Sequence, residues 1–364
     1  MNYKPEKIWL DPEVADTVVA RNVLAALPDV PVETAAYPEN FLAERHPVSQ
    51  LTLGRRLLWI ARKKGRFLKP CPASHRSLCC NYFVASLGSN CHLECTYCYL
   101  QSFLNNPFMV VYANLEDFFS ELEELWRQRP DQPYRIGTGE IADSLALDPL
   151  TGIAPLLVSF FAQQRRAILE LKTKSDCVDG LLDLDHGGRS VVSWSMNSHI
   201  VAASEEFKTA SIDRRIACAL RCQQAGYRVG FHFDPMVYYP GWELDYRVVV
   251  DQIFESLDES QIAWISLGGL RFPRGLREAV KQRFPHSALP YGELVAGPDG
   301  RLQYFRPLRQ QMYSAMLASI RRHTRRNLAF LCSETPVVWQ NVFDRPPSCD
   351  AELDEKMNGL VQLG

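Results

Sequence analysis

The sequence predicts an α/β protein built on an open (β/α)6 partial TIM barrel, with a small N-terminal α/β region and a C-terminal hairpin and helical extension. Two observations predict this. Between residues 81 and 275 short apolar runs alternate with amphipathic helical stretches, the pattern of a parallel sheet with crossover helices. Polar residues gather where the runs end, which is where parallel α/β proteins build their sites. Residues 1–80 and 276–364 lack the alternation and are read as the N-terminal region and the extension.

The first barrel strand is read at NYFVASLG (81–88) and the second at YRIG (134–137). A helix over 114–128 lies between them, with Asn114 as its N-cap. Leu115, Phe118, Phe119, Leu122, Leu125 and Trp126 fall on one face of it. AILELKTK (167–174) and SVVSWSMN (190–197) give strands three and four. Ser211 caps a helix that ends at Gly226. YRVGFHFDP (227–235) is the fifth strand, a helix spans Tyr246–Leu257, and IAWISLGG (262–269) is the sixth strand. Before the barrel, KIWL reads as a strand, Pro12–Leu27 as a helix and the stretch through Pro28, Pro31 and Pro38 as irregular. GRRLLWIARKKGRF then reads as a helix or a strand pair. After the barrel, Pro298-Asp299-Gly300 marks a hairpin turn, and 308–330 reads as helical.

Composition narrows the function classes. At 364 residues and 46% apolar content the chain can bury a full core without disulfide staples. A net charge of −2 provides no global basic field for nucleic acid, though a local groove needs none. Basic clusters occur at Arg55–Arg56, Arg62–Lys64 and Arg321–Arg326; solvated helix faces account for them equally well. The N-terminus has no signal-peptide core and no stretch reaches the ~18 apolar residues of a membrane span. A cytoplasmic protein without membrane contact is expected. The eleven cysteines are then metal ligands or buried fillers rather than a disulfide framework.

One group has ligand spacing. NCHLECTYCYLQS carries Cys91, Cys95 and Cys98 as Cys-x3-Cys-x2-Cys, directly after the first strand, with Tyr97 before the third cysteine. Three thiolates on one loop can hold three irons of a cubane 4Fe-4S cluster and leave the fourth iron open. A zinc site would need a fourth protein ligand, for which His92 is the nearest residue. The spacing and the aromatic residue match the signature of the radical S-adenosyl-L-methionine (SAM) superfamily. There the open iron binds SAM, and reductive cleavage yields a 5′-deoxyadenosyl radical.

Within that superfamily residues 80–275 resemble the spore photoproduct lyase family. The resemblance rests on CHLECTYCYLQS, YANLED (112–117), LDLDHGGRS (182–190), SWSMNS (193–198), ASIDRRIACA (210–219), AGY (225–227) and FDPM (233–236). It implies SAM contacts from Lys174, Ser195 and Asn197, and DNA carrying a thymine-type lesion as substrate. It also implies an electron donor such as flavodoxin or ferredoxin. The family splits a thymine–thymine adduct and returns a hydrogen atom from a cysteine, with tyrosines taking part; Tyr97 and Tyr99 stand in the matching positions. Arg306 matches an arginine near the lesion pocket, where its forked donors suit a phosphate.

The chain departs from the family at one place. Glu140, in GTGE, stands where the hydrogen-donating cysteine belongs, and a carboxylic O–H is a poor hydrogen-atom donor. The segment instead resembles the Gly-Gly-Glu-type motif that binds the SAM ammonium, so Glu140 is expected as a SAM ligand. Asp143 is expected to serve similarly or to cap the following helix. For the hydrogen donor, chemistry favours the thiol of Cys332 and geometry favours Tyr99. Two other functions compete: a radical SAM enzyme acting on a peptide or small molecule, and a non-catalytic iron–sulfur or zinc protein that binds nucleic acid.

Overall fold

The computed structural model describes residues 3–37, 53–72 and 76–363; Pro38, in the stretch read as irregular, lies outside them. The central sheet has eight strands. Its six expected strands are Phe83–Ala85, Tyr134–Gly137, Ala167–Thr173, Ser190–Ser195, Arg228–Met236 and Ile262–Gly269. They are neighbours in chain order and all parallel, as the βαβ pattern requires. The likeness to a curled half-barrel is thus built from consecutive strands, and all their C-terminal ends share one rim.

Two further strands complete the sheet. Leu68–Pro70 pairs antiparallel beside the first strand. Ala329–Leu331 adds in parallel to the sixth, opposite Ile265–Leu267. The second of these corrects the helical reading of 308–330: the helix runs Arg306–Arg321, and the chain then returns as a strand. Three apolar residues are too short a run for periodicity to tell strand from helix. The correction matters, because it carries Cys332 to the barrel rim, where its N–H donates to Leu267 O at 2.9 Å.

Helices cover the outer face. The helix Leu115–Gln128 buries Leu115, Phe118 and Leu122. Phe119 stacks on Phe160 with ring centroids 4.3 Å apart, and Trp126 stacks on the same ring. Asn114 precedes this helix but its side chain does not cap it. Its Oδ1 accepts from Lys63 N at 2.8 Å and its Nδ2 donates to Lys63 O, tying the helix to the N-terminal region. Ser211 does cap its helix, Ile212–Gln224, accepting from Arg214 N at 3.3 Å. Gly226 follows at φ 91°, in the left-handed region that favours glycine.

The N-terminal region forms a five-stranded sheet from Lys7–Leu10, Val32–Thr34, Leu57–Ala61, Met109–Tyr112 and Gly88–Ser89. Its last two strands come from beyond residue 80, on either side of the cysteine loop. The loop therefore leaves one sheet and re-enters it within 20 residues of chain, which anchors both its ends. The expected hairpin is present: Val295–Ala296 pairs with Leu302–Gln303, and Arg271–Phe272 adds on the far side. Among the described residues no helix is long and apolar enough to cross a membrane.

Candidate active site at the barrel mouth

The cysteine loop is held by its neighbours. Glu94–Cys95 pairs antiparallel with Glu206–Phe207. Thr96 N donates to Glu205 O at 2.8 Å. The buried amide of Gln101 donates to three loop carbonyls, Cys95 at 3.3 Å, Thr96 at 2.8 Å and Cys98 at 3.1 Å. A short loop with its carbonyls fixed this way presents its side chains in one set of directions.

Cys91, Cys95 and Cys98 all line one cavity of about 260 Å3 at the C-terminal ends of the strands. Tyr97, Tyr99, Glu140, Asp143, Lys174 and Ser195 line the same cavity. Burial pushes the Cys91 thiol well above its usual range and Cys95 up to about 12. Thiols this buried stay protonated unless a metal displaces the proton. Three thiols on one loop suit a cubane, in which each thiolate binds its own iron. His92 does not turn to this cavity. It borders a separate, smaller one, both ring nitrogens lack a partner, and burial lowers it to about 4.

Glu206, which sequence reading missed, ties the expected SAM residues together. Its carboxylate accepts from Tyr97 OH, from Lys174 Nζ at 3.1 Å, from Arg215 Nη2 at 2.6 Å and from Asn197 Nδ2 at 3.3 Å. Burial alone would raise this carboxyl; Arg215 and Lys174 outweigh it and hold it at about 2. Lys174 Nζ also donates to Tyr97 OH at 3.2 Å. Arg215 explains the motif ASIDRRIACA. Fully buried, it donates to Ala210 O, Ser195 O and Thr209 Oγ1, fixing the end of the fourth strand.

The expected residues fall into four groups. Lys174 and Ser195 face the cavity with an N–H or O–H group available to it. Asn197 is fully buried and does not line it: Nδ2 donates to Glu206 and to Pro235 O at 3.1 Å, and Oδ1 accepts from Tyr246 OH. Asp143 borders the cavity, but its oxygens accept from Leu145 N, Ala146 N and Thr173 Oγ1, and from Lys174 N at 2.8 Å. That is the capping arrangement. Glu140 lines the cavity in an ion pair with Lys172, and its carbonyl accepts from Tyr99 OH at 2.7 Å.

Lys172, Asp234 and Arg271 also line the cavity and were not singled out from the sequence. Burial would lower Lys172, but Glu140 and Glu170 overcome it and keep the ammonium well above the usual lysine range. Below it Glu170 closes the barrel floor. It accepts from Ser193 Oγ at 2.5 Å, His232 Nε2 at 2.7 Å, Trp264 Nε1 at 3.0 Å and Tyr82 OH at 2.5 Å. The alternation Glu170, Lys172, Lys174 was the available signal, since residues two apart share one face of a strand. Cys332 lies just outside the lining. Arg271 donates to its carbonyl at 3.3 Å, and burial, with Asp234 adding to it, raises its thiol well above the ordinary range. Arg306 is exposed at the start of its helix and is not part of the cavity wall.

The model of the spore photoproduct lyase family matches residues 3–297. The chain belongs to that family. It is 28% identical over 214 residues to the spore photoproduct lyase of Geobacillus sp. (strain Y412MC61), covering 58% of this chain and 63% of that protein. The Bacillus subtilis (strain 168) spore photoproduct lyase is 27% identical over the same shares. The matched segment thus spans less than two thirds of either relative. A solved spore photoproduct lyase variant with bound AdoMet and dinucleoside spore photoproduct superposes with a TM-score of 0.80 at 21% identity. It covers 92% of this chain and 100% of its own. The spore photoproduct lyase complexed with dinucleoside spore photoproduct gives 0.79 at 20%, over the same shares. At such identities the superposition establishes the shared fold.

Proposed function

We propose that this family member is a radical SAM lyase that processes a thymine-type DNA lesion. Cys91, Cys95 and Cys98 would hold a 4Fe-4S cluster. With SAM bound, such a cluster would supply a 5′-deoxyadenosyl radical once reduced by a donor such as flavodoxin or ferredoxin. The observation that carries the reading is the convergence of the three thiols with Lys174, Ser195 and Glu140 on one cavity. Family membership supports it, and so does the solved relative named for bound AdoMet and dinucleoside spore photoproduct.

The protein's own residues divide the work. Lys174 offers its remaining N–H to the SAM carboxylate while Glu206 and Tyr97 fix its direction. Ser195 offers a hydroxyl beside it. Glu140 takes the SAM ammonium by exchanging it for Lys172. Asn197 acts through Glu206, and Asp143 acts by holding the backbone of Lys174. Tyr99 and Cys332 are the two alternatives for the hydrogen-returning group. A hydrogen-atom donor must keep its S–H bond, and the burial that holds Cys332 protonated meets that need. Arg306 contacts phosphate outside the cavity.

The test is direct. Anaerobically reconstituted protein, dithionite and SAM are incubated with dinucleoside spore photoproduct, and products are identified by mass spectrometry. Recovered thymidylyl residues together with 5′-deoxyadenosine support the reading. 5′-Deoxyadenosine without loss of the lesion moves the substrate to a peptide or small molecule. Absence of SAM cleavage by iron-loaded protein overturns the enzymatic reading.

A further inference from the structure

A second groove, of about 1000 Å3, opens beside the barrel mouth. One wall continues the fifth strand: Asp234 and Pro235 line the candidate site, and Val237 and Tyr238 line the groove. The other wall continues the hairpin. Arg271 lines the site, Arg271–Phe272 pairs with Leu302–Gln303, and the chain goes on into Tyr304 and Phe305. A hydrogen bond joins the walls, Tyr238 N donating to Tyr304 OH at 3.0 Å.

The groove is lined by large apolar side chains left in water. Tyr291 is 64% exposed, Phe305 62% and Tyr238 45%. Ile200 and Val295, also exposed, stand with them. Scattered exposed apolar residues need no explanation, but a contiguous patch of them marks a binding surface. Lys281 Nζ lies over the Tyr291 ring at 5.8 Å, Tyr238 packs edge-on against Tyr304 and beside Trp242, and the helix that begins at Arg306 places an exposed guanidinium next to Phe305. Arg277, whose Nε donates to Pro290 O, sits in the wall. Aromatic faces with guanidinia at the rim suit unstacked nucleotides, which offer one π face and one phosphate each.

We infer that this groove is a stacking platform for single-stranded nucleotides flanking the base that enters the cavity. A target base must leave a duplex stack to reach a buried site, and its neighbours then need a surface to stack on. Tyr291, Phe305 and Tyr238 provide that surface, and Arg306 takes a phosphate of the same strand. The inference rests on the proposed nucleic-acid substrate, and the experiment separates the two.

Tyr291→Ala and Phe305→Ala are made in the full chain; both side chains are mostly in solvent, so folding is unaffected. Binding of a fluorescein-labelled single-stranded oligothymidylate is measured by anisotropy, and turnover is measured on the dinucleoside lesion and on the lesion within an oligonucleotide. Each variant is expected to weaken oligothymidylate binding roughly tenfold. Turnover of the dinucleoside lesion is expected to be unchanged, and the oligonucleotide lesion should show a raised KM. Unchanged oligothymidylate affinity in both variants overturns the platform, as does an equal loss on dinucleoside and oligonucleotide. If the parent binds oligothymidylate in a Tyr291- and Phe305-dependent way yet leaves the lesion intact, the platform stands and the proposed reaction falls.

Discussion

Glu206→Gln isolates the contribution of the carboxylate that joins the cysteine loop to the SAM side of the cavity. Glutamine keeps the shape and removes the charge. Arg215 is fully buried and Lys174 nearly so, and both lose their counter-ion. Removing one partner of a buried pair costs about 3–5 kcal/mol. An independent route gives a similar size. A carboxyl moved from an ordinary 4.5 to about 2 stabilises the fold at neutral pH by about 3 kcal/mol. Because the folded value is the lower one, this contribution is complete above 4.5 and disappears as pH falls from there through 2. With an unfolding entropy of about 2.1 cal/mol/K per residue, 364 residues translate 3–5 kcal/mol into a Tm lower by about 4–7 °C. Circular dichroism melts at pH 7.5 read this directly. The double variant Glu206→Gln/Arg215→Met should recover part of the loss, since an apolar side chain has no charge to leave unpaired. A Tm within a degree of the parent for Glu206→Gln, or a double variant that is simply additive, would refute the role given to Glu206.

Cys95→Ala should abolish the absorbance near 400 nm after reconstitution and remove bound iron and sulfide, measured by colorimetric assay. Glu140→Ala should leave iron content intact and weaken SAM binding at least tenfold by equilibrium dialysis, the loss of about 1.4 kcal/mol of charge-assisted bonding. Unaltered SAM affinity would move Glu140 to the substrate side of the cavity. Cys332→Ala should still cleave SAM but accumulate adducts or abortive products from the lesion, detected by mass spectrometry; a clean product profile would remove Cys332 from the reaction.

The barrel was legible because each of its strands is a run of β-branched or aromatic residues with a turn or polar end, and each helix carries one apolar stripe. The cysteine loop was legible because its ligands are local: three residues within eight positions of chain. What sequence reading missed depends on residues brought together by the fold. Glu206 sits in a short strand after a helix, with no spacing to tie it to Lys174, Asn197 or Tyr97. Gln101 looks like an ordinary helix residue until its amide is seen under three carbonyls. Asn197 shows the converse. The resemblance implied a SAM contact for it, and the fold engages both ends of its amide with Glu206, Pro235 and Tyr246. Position at a strand end was informative about the neighbourhood and silent about direction.

The third barrel strand carries the synthesis furthest. Glu170, Lys172 and Lys174 point inward at successive levels, since alternate residues of a strand share a face. At the floor Glu170 is saturated by Ser193, His232, Trp264 and Tyr82, so it offers nothing to a ligand and serves as a fixed negative charge. One level up, Lys172 is held charged by Glu170 below and Glu140 beside it. At the rim, Lys174 leans on Glu206 and Tyr97. Each lysine is therefore held by carboxylates next to it, Lys172 by Glu170 and Glu140 and Lys174 by Glu206. A cationic ammonium brought to Glu140 need not strand Lys172, because Glu170 remains as its counter-ion, with Asp234 also near. That is the physical reason a carboxylate paired with Lys172 can still take a cationic ligand.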